Sequence, residues 1–147
     1  DTVNYLQKQN KYYTHVALIQ LTSPLRDHTH LNKAINLMRK KRLDGIVGIS
    51  ATECPKTWMT YSKPNTMKDF YAENQHIKKK YNSKKIKKSY RINGAIYIVS
   101  IKNLKKKNIF FHKSIGVFEM DRKHSIDIDT IFTLKHSKLM TTHHIYK

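Results

Sequence analysis

Thr14-His15-Val16-Ala17-Leu18-Ile19-Gln20 is a short apolar run that stops at Thr22-Ser23-Pro24. A run of that length, bounded by turn residues, suits a buried strand of a parallel sheet. Asp27 or Thr29 follows as a possible helix cap. Leu31, Ala34, Ile35 and Met38 then recur at i, i+3, i+4 and i+7, which gives one apolar stripe on a helix. Arg39, Lys40, Lys41 and Arg42 load its last turn, where cations suit the helix dipole. Asp44-Gly45 ends it, and Gly45 to Ala51 forms a second apolar run. The stretch therefore predicts strand–helix–strand with parallel strands, the usual right-handed unit of an α/β fold.

Outward from this unit the pattern continues. Trp58 to Tyr61 is expected as a short edge strand, and Tyr90 to Ser100 as a strong strand centred on Asn93-Gly94. Ile101 to Lys107 is a short helix capped by Ser100. Gly116 to Met120 is another strand. Ile126 to Leu139 begins extended and turns helical. Lys63 to Lys88 is different: polar, weakly periodic, and rich in lysine runs, so it reads as a protruding arm or mobile loop.

The chain has 147 residues, 39% of them hydrophobic, enough for one domain with a core. No apolar run is long enough to span a bilayer, and Asp1 to Gln9 lacks a signal-peptide pattern. The single cysteine, Cys54, excludes an internal disulfide and fits a reducing compartment such as the cytoplasm. Lysine and arginine number 29 against 10 acids, a formal charge of +19. That excess either attracts polyanions or is spread over solvated faces, and charge alone does not decide between them. Tyr12, Tyr13, Tyr81 and Tyr90 near basic runs could stack bases. The lysine runs do not alternate with aromatics as a nucleic-acid groove needs, and no nucleic-acid motif is present.

Three motifs carry possible chemistry. In Gln20-Leu21-Thr22-Ser23-Pro24-Leu25-Arg26, Pro24 ends the strand. Gln20 and the Thr22 and Ser23 hydroxyls then sit at a strand's carboxyl end, where α/β folds bind ligands. The same residues would also serve as an ordinary capped turn. In Tyr90-Arg91-Ile92-Asn93-Gly94-Ala95-Ile96-Tyr97-Ile98, Asn-Gly is either a hairpin turn or a close-approach point for a ligand. In Ser125-Ile126-Asp127-Ile128-Asp129, strand alternation would aim Asp127 and Asp129 to one face. Paired carboxylates of that kind suit Mg²⁺, although one could simply cap the next helix.

Taken in order, Gln-x-Thr-Ser-Pro-Leu-Arg, Asn-Gly-Ala-Ile-Tyr and Asp-Ile-Asp-Thr resemble the acylneuraminate cytidylyltransferases, the CMP-sialic acid synthetase family, from about Val16 to about Leu134. The resemblance implies a Rossmann-like, mostly parallel sheet with flanking helices, of the nucleotide-diphospho-sugar transferase type. It implies transfer of CMP from CTP to the anomeric hydroxyl of a sialic or related nonulosonic acid, with Mg²⁺ held by Asp127 and Asp129. By the same resemblance Gln20, Ser23, Arg26, Arg91, Asn93, Gly94, Tyr97, Phe110 and Phe111 would bind substrate. Residues 63–88 fall where the family builds its dimer contact.

Departures accompany the likeness. The family's Gly- and Lys-rich phosphate loop is missing, so the chain is expected to be one N-terminally truncated domain over 1–147. Leu21 stands where proline is usual, Thr133 where an acid is usual, and His124 where an acid is common. Ser83-Lys84 lies near the position of the family's Arg-Gln pair. Two other functions remain open: an inactive remnant that binds sugar or nucleotide, and a basic nucleic-acid binder.

Overall fold

A computed structural model describes residues 2–61, 63–73, 88–107 and 110–145. The chain divides into two compact units, Asp1–Ser50 with Ile92–Lys147, and Ala51–Arg91.

In the first unit the elements are α1 (Thr2–Lys8), β1 (His15–Leu18), α2 (His28–Lys40) and β2 (Gly45–Ala51). From β3 (Tyr90–Ser100), whose first two residues belong to the second unit, the chain continues through α4 (Ile101–Lys107), β4 (Ile115–Glu119) and α5 (Ile131–Ile145). The sheet has four strands in the order β1-β3-β2-β4. β2 and β4 are parallel, Gly45 beside Ile115 and Ile49 beside Glu119. β1 and β3 are antiparallel, His15 beside Ser100 and Leu18 beside Tyr97.

β2 and β3 also run in opposite directions. Ser100 donates its N–H to the Asp44 carbonyl, while Gly48 faces Asn93 and Ile96. The sheet is therefore mixed, not mostly parallel. β3 enters antiparallel between β1 and β2 and separates the two strands of the expected strand–helix–strand unit. Those two still point the same way, because each opposes β3.

α2 covers the sheet as its stripe predicts. Ala34 and Met38 are buried against Ile46, Ala95, Ile96, Ile98 and Met120, and Leu31 and Ile35 pack beside them. Asp27 caps the helix, accepting from the N–H groups of Thr29 and His30, while the His30 ring returns a bond to the Asp27 N–H. The Thr29 hydroxyl also donates to Asp27, at 2.7 Å. This bond above all, helped by His30, holds the Asp27 carboxyl well below its usual range. A depressed carboxyl stabilises the fold above its unfolded pKa and loses that contribution as the pH falls. Asp27→Ala should thus cost about 1 kcal/mol at neutral pH. In urea melts the gap from wild type should begin to narrow below about pH 4 and keep narrowing as the pH falls further.

α5 is turned the opposite way to most surface helices. Ser137 is buried, while Ile131 (74% exposed), Phe132 (76%) and Leu139 (61%) face outward. Burying Ser137 is tolerable because its hydroxyl donates to the Leu134 carbonyl of the same helix.

In the second unit, Ser89 receives two contacts: its carbonyl accepts the Thr52 N–H at 2.9 Å and its hydroxyl accepts the Lys56 N–H at 2.9 Å. The edge strand expected at Trp58 to Tyr61 does not form. Pro55 instead leads into a single 3₁₀ turn, Lys56–Trp58, and Thr60 and Tyr61 join no strand. Helix α3 (Met67–Glu73) begins at a reciprocal Thr66–Asp69 cap. Most of the expected arm at 63–88 lies outside the described residues.

Candidate functional site

The carboxyl end of β1 runs into a tight turn. Ser23 N–H donates to the Gln20 carbonyl at 3.3 Å, a four-residue turn that places Leu21 at its second position, 94% exposed. Proline is favoured at that position of a β-turn, and leucine occupies it here. Arg26 braces the turn from behind. Its Nη1 donates to the Gln20 carbonyl at 3.1 Å and to the Ala95 carbonyl at 2.8 Å, joining the end of β1 to β3. Burial lowers its pKa from the ordinary arginine value.

β3 passes straight through Asn93-Gly94, so no hairpin forms. Gly94 has φ +78°, a left-handed conformation inside a strand. Three candidate side chains converge on it. A β-carbon at Gly94 would lie 2.6 Å from Gln20 Oε1, 3.3 Å from Asp127 Oδ2 and 3.7 Å from Ser23 Oγ. Glycine thus meets two requirements at once, the backbone angle and the open space.

Two polar atoms of this cluster are left over. Ser23 Oγ and Asp127 Oδ1 are buried and have no hydrogen-bond partner. Buried polar atoms are nearly always paired, and each exception calls for an explanation such as an ion, a water or a ligand.

Asp127 and Asp129 do not lie on a strand, contrary to the alternation expected from the sequence. Residues 126–130 belong to no strand, Asp127 is half-buried and Asp129 exposed. Neither caps α5. Thr130 does so, exchanging bonds with Thr133, whose hydroxyl accepts the Thr130 N–H at 3.1 Å. Thr133 thus secures the helix start. Among the described residues no group of three or more His, Cys, Asp and Glu converges as a metal cage. The partnerless buried oxygen of Asp127 is compatible with Mg²⁺, which can take a single carboxylate and complete its shell with water and substrate phosphates.

Tyr97 borders the cluster. Burial first, and the Asp127 carboxylate second, push its phenol above the usual value, so it stays protonated and can donate. Its ring meets Phe110 and Phe111 edge-on, with centroids 6.1 and 6.0 Å away.

The Asn93 side chain is 1% exposed and engaged within the protein. Nδ2 donates to Ser125 Oγ at 3.0 Å and Oδ1 accepts from the Ala95 N–H at 3.1 Å. Its amide therefore shapes the site from within, although the sequence pattern pointed it at a ligand. Arg91 is exposed and belongs to the second unit. Ser125 was not singled out by sequence reasoning. Its only signal is its place at the head of the Ser-Ile-Asp-Ile-Asp run.

No helix among the described residues is long and apolar enough to cross a membrane. No family model matches the chain. Curated relatives do. Over 140 residues the chain is 26% identical to the pseudaminic acid cytidylyltransferase of Campylobacter jejuni, covering 95% of this chain and 59% of that enzyme. Over 114 residues it is 28% identical to the N-acylneuraminate cytidylyltransferase of Streptococcus agalactiae, covering 77% of this chain and 27% of that one. Over 118 residues it is 29% identical to the N-acylneuraminate cytidylyltransferase of Escherichia coli, covering 80% and 27%. The chain thus spans less than two thirds of the length of these relatives. The relatives are cytidylyltransferases, and this chain is a distant homologue of them.

Proposed function

We propose that this chain is the sugar-side part of a cytidylyltransferase that joins CMP to a sialic or related nonulosonic acid. In the reaction the anomeric hydroxyl attacks the α-phosphorus of CTP. The new bond joins the anomeric oxygen to that phosphorus, and the bond to pyrophosphate breaks. Catalysis of this type rests on positioning and charge neutralisation.

One observation carries the proposal: Gln20, Ser23 and Asp127 converge on Gly94, and two buried oxygens there lack partners. Gln20 and Ser23 would hold hydroxyl or carboxylate groups of the sugar. Tyr97, Phe110 and Phe111 would pack an apolar substituent such as an acyl group. Arg26 and Asn93 keep the end of β1 and the Gly94 kink in place. Asp127 and Asp129 would hold Mg²⁺, which when bound neutralises charge on the reacting phosphate. The relatives' names and the three ordered motifs support the same chemistry. In this proposal the complete enzyme is a cytoplasmic homodimer.

The test has two stages. Titration calorimetry of the 147-residue chain with N-acetylneuraminic acid and Mg²⁺ should give saturable binding. Asp127→Asn should remove the Mg²⁺ dependence of that binding. Joined to a complete N-terminal segment with a phosphate loop, the chain should form CMP-sugar from CTP. Binding with no product from a folded joined chain would assign a binding module instead. The absence of both binding and product would end the proposal.

A further inference from the structure

We propose that Ser125 is a positioning residue that locks together the two walls of the site, the Gly94 kink of β3 and the segment bearing Asp127. The inference deepens the functional reading above and rests on it for the identity of the site.

The hydroxyl of Ser125 has one proton. Its oxygen lies 2.6 Å from the Asp121 carbonyl, which can only accept, so the proton points there. Its lone pairs are then left for Asn93 Nδ2, 3.0 Å away. This fixes the Asn93 amide in one orientation, with its NH₂ toward Ser125 and its oxygen toward the Ala95 N–H. The bond from Asn93 to Ala95 spans Gly94, closing over the left-handed residue.

The amide is wedged as well as bonded. A β-carbon at Gly48 would lie 2.6 Å from Asn93 Oδ1, so β2 presents bare backbone where the amide sits. The other end of the lock is equally tied. Asp121 accepts from the His124 backbone N–H at 2.9 Å and from its ring at 2.8 Å, which fixes the 3₁₀ turn Lys123–Ser125. The His124 ring lies against His30 of α2, with centroids 4.6 Å apart. Beyond Asp127, the Ile128 N–H donates to the Thr22 carbonyl at 2.8 Å, beside Ser23. One chain of bonds therefore runs from the Asp121 turn through Ser125 and Asn93 to the Ala95 N–H, on the far side of Gly94. The same turn leads within two residues to Asp127.

Ser125→Ala removes the hydroxyl through which the link runs. In ¹⁵N-resolved NMR spectra of the full chain, the amide resonances of Gly94, Ala95 and Asp127 should shift together. Calorimetry with N-acetylneuraminic acid and Mg²⁺ should show affinity falling roughly tenfold, as expected when a charged or reacting group is held loosely. Ser125→Ala combined with Asn93→Ala should bind no more weakly than Asn93→Ala alone, because the two act as one unit. Ser137→Ala is the control. It is also a buried serine, but it bonds within its own helix, and it should leave affinity unchanged.

Shifts confined to residues 121–126, or additive losses in the double variant, would overturn the proposal. If the wild-type chain binds no sugar, the functional reading fails, while the Gly94 and Asp127 resonances still decide the lock. Should Ser125→Ala not fold, Asn93→Ala reports the same coupling from the other side, through the Asp127 amide.

Discussion

Gly45→Ala is expected to destabilise the first unit severely. Gly45 opens β2, buried, just after Asp44, whose carbonyl accepts the Ser100 N–H of β3. A β-carbon there would overlap the carbonyl oxygen of Ile98 and stand 2.8 Å from Ile115 Cδ1 and 3.0 Å from the Val99 Cα. Two of these three atoms are backbone, so relief requires β2 and β3 to part. Overpacking a core costs about 1–3 kcal/mol when side chains can yield. Here the strands themselves must move, and the loss should exceed that range, roughly half or more of a small domain's stability. Thermal unfolding followed by near-ultraviolet circular dichroism should show a midpoint lowered by roughly 10 °C or more, or no transition. A variant melting within about 2 °C of wild type would show that β2 and β3 can part there at little cost.

Gly94→Ala should act differently, with a modest loss of stability and a near-complete loss of binding. Alanine at φ +78° carries strain of about 1–2 kcal/mol. The nearest atom to its new methyl is Gln20 Oε1, the end of a flexible side chain, which can swing away. Swinging away removes Gln20 from the cluster, and the methyl fills the space between Ser23 and Asp127. Melting should fall by a few degrees, while calorimetry with N-acetylneuraminic acid should detect an affinity at least a hundredfold weaker, about 2.7 kcal/mol. Unchanged affinity would remove Gly94 from the site, and with it the convergence on which the functional proposal depends.

The contrast between these glycines shows what local sequence can and cannot convey. Helix α2 was legible because its stripe obeys a 3.6-residue period and its cap is a local Asp-x-x-His exchange. The ends of β3 were legible because apolar and β-branched residues persist from Tyr90 to Ser100. Strand order was not legible. That β3 enters antiparallel between β1 and β2 depends on contacts such as Gly48 with Asn93, about forty-five residues apart, for which no short-range pattern exists. The same is true of Asn93-Gly94. Its local signal is identical for a hairpin turn and for a kinked strand, and only Gly48 and Ser125, from elsewhere in the chain, select the kink.

The candidate site was legible to a similar degree. Gln20, Ser23, Gly94 and Asp127 come together, each having been marked by its place in a short motif. The pairing of Asp127 with Asp129 was inferred from strand alternation, and it falters because residues 126–130 join no strand. Trp58 to Tyr61 did not form the expected strand for a local reason: Pro55 leads into the 3₁₀ turn Lys56–Trp58, which takes Trp58 out of extended backbone. Ser125 escaped notice because a lone hydroxyl has no signature until the carbonyl that takes its proton is known.

The outward apolar face of α5 bears on how these variants must be assayed. Ile131, Phe132 and Leu139 already stand in solvent in the native chain. Environment-sensitive dyes that brighten on exposed hydrocarbon, the common indicator of a loosened core, have a ready landing place on the intact protein. A bright signal from Gly45→Ala would therefore say little by itself. Fluorescence from such a dye becomes informative only relative to a chain in which Phe132 and Leu139 are made polar, which sets the true background for every comparison of folded and loosened forms.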